Sequence, residues 1–187
     1  MLSKKLKIAL FSATLCFSSV FAQQPAQMKN AQAPKIMMQG KETRKLDYTM
    51  SLEALTHPGT HLAKFKSKNL MIYYFSSKCP HCIHAYPSIQ KIAKRYAPQG
   101  LQMIAIAIQA NEKGDIRTFI NDQKVDVPTF QDSQRKFGET FGLNSIPRIF
   151  LVNTKGEIIH YPDASDQSVK FLEDELGKRF GMFFKPN

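Results

Sequence analysis

Cysteine pairs, long apolar runs and organised positive charge are all scarce in this 187-residue chain, and each scarcity removes a class of protein. Only three cysteines are present, Cys16, Cys79 and Cys82. With no second pair, a zinc site built on Cys79 and Cys82 would need two further ligands, and the histidines at 81 and 84 do not have a standard ligand spacing. No metal is therefore expected at this pair. The apolar stretch at residues 8–21 is short of the roughly 20 residues that cross a bilayer. Lys and Arg number 26 against 15 acids, a net charge of +11. The bases are scattered, with no aromatic-interleaved stripe, which argues against nucleic-acid binding. No internal repeat is visible.

What is present begins with a leader. Lys4, Lys5 and Lys7 precede the apolar stretch, and Val20-Phe21-Ala22 offers small residues where a signal peptidase reads. This pattern predicts a secretory signal peptide over residues 1–22, cleaved after Ala22, with an uncleaved anchor as the alternative. Leu15, ahead of Cys16, does not suit a lipoprotein signal. Cleavage removes three lysines and no acids, so +11 becomes +8, and only Cys79 and Cys82 remain. An exported, periplasmic location is oxidising, so a disulfide there persists. Residues 23–45 are rich in Gln, Ala, Pro and Lys without periodicity and read as a flexible leader. Residues 46–68 read as short helical turns around "HPGT".

From residue 69 the pattern becomes regular. "LMIYYF" (70–75) suits a strand buried on both faces. A helix over 79–97 follows, with Cys82, Tyr86, Ile89, Ala93 and Tyr96 on one face and a kink at Pro87. "LQMIAIAI" (101–108) is a second buried strand. Helices are expected at 114–124 and at 132–142, the latter with Asp132 as N-cap and Gly142 as stop. "RIFLVN" and "EIIHY" (148–153, 157–161) should form an antiparallel hairpin, and a helix over 165–180 closes the chain. The order β-α-β-α-α-β-β-α is that of an α/β fold with a mixed central sheet flanked by helices, a single domain over 46–187.

The chemistry lies in "CPHC", at the turn from the first strand into its helix. Cys79 at the helix N-terminus meets unsatisfied N–H groups and the positive end of the dipole, which favour a thiolate. Lys78, His81 and His84 add positive charge nearby. Pro80 fits the first turn, where its missing N–H costs nothing. Cys82, one turn on, faces the core. Cys79 is thus the expected exposed nucleophile and Cys82 the resolving thiol. A purely structural disulfide across four residues closes too small a loop to contribute much chain entropy.

With these residues placed, the chain over about 68–180 resembles the thioredoxin superfamily. "NSIPRIFLVNTKGEII" (144–159) is similar to the segment that carries the family's cis-proline. The resemblance implies that Pro147 is that residue and that the backbone of Ile146 pairs with an extended substrate. Within the superfamily the chain resembles the exported TlpA/ResA type, with a DsbA-type dipeptide, Pro80-His81, between the cysteines. It departs in having Ala85 where a Glu often stands, Tyr73 where a buried acid stands, and Arg148 where Thr is common, which suggests acidic client segments. The resemblance implies a protein thiol–disulfide oxidoreductase without cofactor, acting on protein thiols or disulfides and recycled by a membrane redox partner. Its potential is expected in the oxidising half of the known range. The polar, short segment 23–65 offers no dimerisation domain, so a monomer is expected. The alternative is a non-enzymatic, thioredoxin-like binding or assembly factor of an envelope secretion or conjugation complex, with the leader or "GMFFKP" as docking segments.

Overall fold

The structure, a computed structural model, describes residues 44–108, 110–161 and 166–181. The signal peptide, nearly all of the leader and the "GMFFKP" tail beyond its first residue lie outside them. Six strands form one sheet: β1 (Glu53–Ala54), β2 (Asn69–Phe75), β3 (Leu101–Ile108), β4 (Thr129–Asp132), β5 (Arg148–Val152) and β6 (Ile158–Tyr161), in the spatial order β1-β4-β3-β2-β5-β6. The helices are α1 (Pro80–Tyr96), α2 (Lys113–Asp122), α3 (Lys136–Thr140) and α4 (Asp166–Gly181). β2, β3 and β4 run parallel, while β5 and β6 continue antiparallel on one side and β1 on the other. This is the mixed sheet expected, and the fold is the thioredoxin-like α/β fold.

β2 is central, and its composition follows from that. Leu70 through Phe75 are all buried. Met71, Tyr73 and Phe75 pack with Cys82, Tyr86 and Ile89 of α1, Phe119 of α2 and Leu172 of α4. Leu70, Ile72 and Tyr74 point the other way, to Leu46, Phe65, Phe137 and Phe150. Side chains alternate along a strand, so a strand between two cores must be apolar on both faces. Each large side chain so buried contributes about 1.5–3 kcal/mol. α1 runs unbroken through Pro87 from 80 to 96.

Two expectations change. Residues 129–132 form a strand, β4, and the helix expected over 132–142 shrinks to Lys136–Thr140 with Arg135 as its N-cap. "TFQD" shows one apolar residue in four, yet all four positions are buried. Asp132 still caps the helix, but from the end of the strand: its carboxylate accepts from the N–H groups of Phe137 (3.1 Å) and Gly138 (2.9 Å) and from the Tyr74 hydroxyl (3.2 Å). Gly138 packs closely there: a Cβ would stand 2.7 Å from the Tyr74 hydroxyl oxygen, so a larger residue would have to displace the phenol from Asp132. Gly142, at φ 62°, ends the turn as expected. The helical turns expected over 46–68 reduce to one 3₁₀ turn, Leu62–Phe65, beside the short β1.

Candidate active site

β2 delivers the chain to its C-terminal end, where Ser76–Lys78 turn it into α1. Cys79 is the N-cap of α1, with extended backbone (φ −88°, ψ 116°), and Pro80 takes the first helical position. The Cys79 N–H donates to the Ser76 carbonyl (3.2 Å), and the Cys79 carbonyl accepts from the Ile83 N–H (3.0 Å). Cys79 is half-buried and Cys82 fully buried; both are free thiols. The two sulfurs are therefore inequivalent, as the sequence predicts. Burial pushes the Cys82 thiol up to about 12, opposed by the backbone N–H of Ser76 and reinforced by a hydrogen bond with Cys79. Cys82 is thus a protonated thiol at neutral pH.

Pro80 and His81 are exposed on the first turn of α1. The Ile146–Pro147 bond is cis. Pro147 is buried and Ile146 half-buried. The pairing of Tyr74 with Arg148 sets this loop at the same end of the sheet as the β2–α1 turn, and Cys79 and Ile146 pack against the same apolar cluster. The fold thus gathers Cys79, Cys82 and the Ile146–Pro147 segment. Arg148 is tied to Ser145, through its Nε to the carbonyl (3.1 Å) and through its terminal nitrogen to the hydroxyl.

Lys78 departs from its expected part. Its ammonium lies 2.8 Å from the Asp115 carboxylate at the start of α2, which offsets its charge beside the sulfur. Three residues escaped the sequence reading. Asn111, 4% exposed, straps the turn before Cys79. Its side chain accepts from the Ser77 N–H (3.0 Å) and donates to the Ser76 hydroxyl (2.9 Å). Gln131 of β4 donates to the Asn111 carbonyl (2.6 Å). Tyr73, read from sequence as packing, places its hydroxyl on the Cys82 carbonyl (2.8 Å). Its one sequence signal is its position six residues before Cys79. Among the described residues no group of three or more His, Cys, Asp or Glu is placed to hold a metal ion.

A half-buried cysteine capping a helix, a buried thiol one turn further on and a cis-proline loop beside them define a thioredoxin-like redox class. Residues 38–176 match the Redoxin family, and the chain belongs to it. Among curated relatives, the thiol-disulfide oxidoreductase ResA of Halalkalibacterium halodurans is 26% identical over 126 residues, 65% of this chain and 70% of that protein. ResA of Bacillus subtilis is 18% identical over 143 residues, 76% and 72% of the two chains. Among solved structures, a secreted Mycobacterium tuberculosis disulfide oxidoreductase homologous to E. coli DsbE superposes with a TM-score of 0.58 at 15% identity, covering 71% of this chain and 95% of its own.

Proposed function

We propose that this Redoxin-family oxidoreductase exchanges disulfides with protein thiols through the Cys79–Cys82 pair, in an exported location. The observation that carries the reading is the inequivalence of the two sulfurs: Cys79 at the open helix end, Cys82 protonated and buried behind it. In the reducing direction the Cys79 thiolate attacks a client disulfide. Cys82 then displaces the client from the mixed disulfide. In the oxidising direction a client thiolate attacks Cys79 of the oxidised pair, and a second client thiol displaces Cys79. Pro80 pre-forms the helix start, and His81 adds positive charge beside Cys79 when protonated. The backbone at Ile146, ahead of cis-Pro147, pairs with an extended client strand, a main-chain mode that tolerates many sequences.

Export rests on residues 1–22 as a signal peptide, with 23–45 as leader and 46–187 as the working domain, acting as a monomer recycled by a membrane redox partner. Among the described residues no helix is long and apolar enough to cross a membrane. The direction of exchange is read from the equilibrium potential, on a scale from about −120 mV for a strong oxidant to about −270 mV for a reductant. The helix end favours the oxidising half.

Replacing Cys79 with Ser tests the reading. Exchange with glutathione disulfide and reduction of insulin should both be lost. Retention of either activity by Cys79→Ser would refute it and favour the binding-factor alternative.

A further inference from the structure

The C-terminal ends of β2 and β3 and the loop before Pro147 enclose a cavity of about 170 Å³ that the exchange chemistry leaves unused. It is well under the roughly 300–1,000 Å³ of a small-molecule site and suits a single side chain. Tyr74, Leu143 and Ile146 form its apolar walls, and Arg135, Asn144 and Ser145 supply its polar groups. Among its described lining residues, Arg135 alone is charged. Two acids lie nearby without lining it. Asp132 is buried, and its carboxylate already accepts from Phe137, Gly138 and Tyr74. Glu139 is 3.9 Å from Arg135, a long contact between two largely exposed groups and therefore a weak one. A second guanidinium, that of Arg148, bonds the carbonyl and the hydroxyl of Ser145, so this wall too is positive in character.

The cavity and Cys79 lie on opposite faces of the sheet. Cys79 packs against the cluster on the α1 face, Tyr74 and Leu143 belong to the cluster on the other face, and Ile146 touches both. A client strand paired with the backbone at Ile146 extends the sheet, so its successive side chains point to alternate faces. When the client cysteine points to Cys79, the residues directly beside that cysteine point to the face that holds the cavity. We infer that this cavity is a specificity subsite for a glutamate side chain adjacent to the client's reactive cysteine. The methylene stem lies against Tyr74, Leu143 and Ile146, and the carboxylate meets the Arg135 guanidinium in a charge-assisted hydrogen bond. This rests on the oxidoreductase reading above, with the client paired at Ile146.

The test uses the reduced full-length protein and symmetrical disulfides of short peptides, each chain with one cysteine, and measures the second-order rate of peptide-thiol release. Two peptides share one composition and net charge. In the first, glutamates flank the cysteine directly; in the second they stand two residues away on either side and point back to the Cys79 face. The first should be reduced about fivefold faster, as fits an ion pair partly open to water. Attraction at a distance acts on both peptides nearly alike. Arg135 has a left-handed backbone (φ 59°), which Asn and Asp tolerate, so Arg135→Asn and Arg135→Asp suit the position. Arg135→Asn should level the two rates. Arg135→Asp should create a preference for lysine directly beside the cysteine over lysine two residues away, a gain that damage to the fold does not produce. Equal rates for the two glutamate peptides in wild type overturn the inference. So does a preference that survives Arg135→Asn, which would place the recognition on Arg148. A wild-type protein that reduces neither peptide refutes the oxidoreductase reading itself, and the subsite with it, so the two failures are told apart.

Discussion

Lys78 adjoins Cys79 in the chain, but its charge is spent on Asp115. Both side chains are partly exposed, so the pair is weak, and its interest lies in what it withholds from the sulfur. Asp115→Asn should free the ammonium and raise the rate of Cys79 alkylation by iodoacetamide at neutral pH about twofold, with the added rate fading in high salt. An unchanged rate would show that Lys78 does not act on the sulfur at all. Cys82 illustrates the opposite case. Its position one turn after Cys79 can be read from spacing, but its burial comes from Tyr73, Tyr86 and the rest of the cluster beneath α1.

At the scale of elements, the site depends on the join between β2 and α1, and that join is held by a loop from elsewhere. Asn111 lies between β3 and α2, about 35 residues from the serines it binds. Asn111→Ala leaves the Ser77 N–H and the Ser76 hydroxyl without their side-chain partner, while the Gln131 bond to the residue 111 carbonyl is kept, and should cost about 1–3 kcal/mol in denaturant unfolding. It should also increase hydrogen exchange at Ser77 and Cys79; unaltered protection there would mean that the turn holds itself. β4 shows why sequence patterns miss some strands. Thr129, Gln131 and Asp132 are buried polar residues made tolerable by distant partners: Thr56 accepts from the Thr129 N–H (2.8 Å), Asn111 takes Gln131, and Tyr74 and α3 take Asp132. A hydrophobicity pattern does not register such partners. The alternation of long apolar segments in β2, β3 and β5 it registers well, because burial on two faces leaves no polar position.

For the molecule as a whole, the buried thiol makes stability depend on pH and on redox state. An unfolded cysteine ionises near pH 9, whereas folded Cys82 holds its proton up to about 12. Between these values the folded state binds more protons than the unfolded one, so stability of the reduced protein falls as pH rises through that window. Below pH 9 the two states hold this proton alike and the slope disappears. Unfolding in urea at pH 8 and pH 10.5 should show the reduced protein losing stability, and Cys82→Ala losing clearly less. Equal losses would place the alkaline sensitivity elsewhere.

Sequence by itself determined the parts that depend on near neighbours: the two-faced strand, the helix that follows it, the cysteine pair at their junction and the proline that opens β5. These follow from periodicity, from backbone geometry and from the unsatisfied N–H groups of a helix end, all of which act within a few residues. Tertiary structure alone decided that Asp132 caps α3 from a strand, that Asp115 claims Lys78, that Asn111 straps the turn before Cys79 and that the Tyr73 phenol meets Cys82. The last pair are nine residues apart and on different elements. Their meeting requires α1 to lie back across β2, and that placement is fixed by the shared apolar cluster, to which strands and helices far along the chain all contribute.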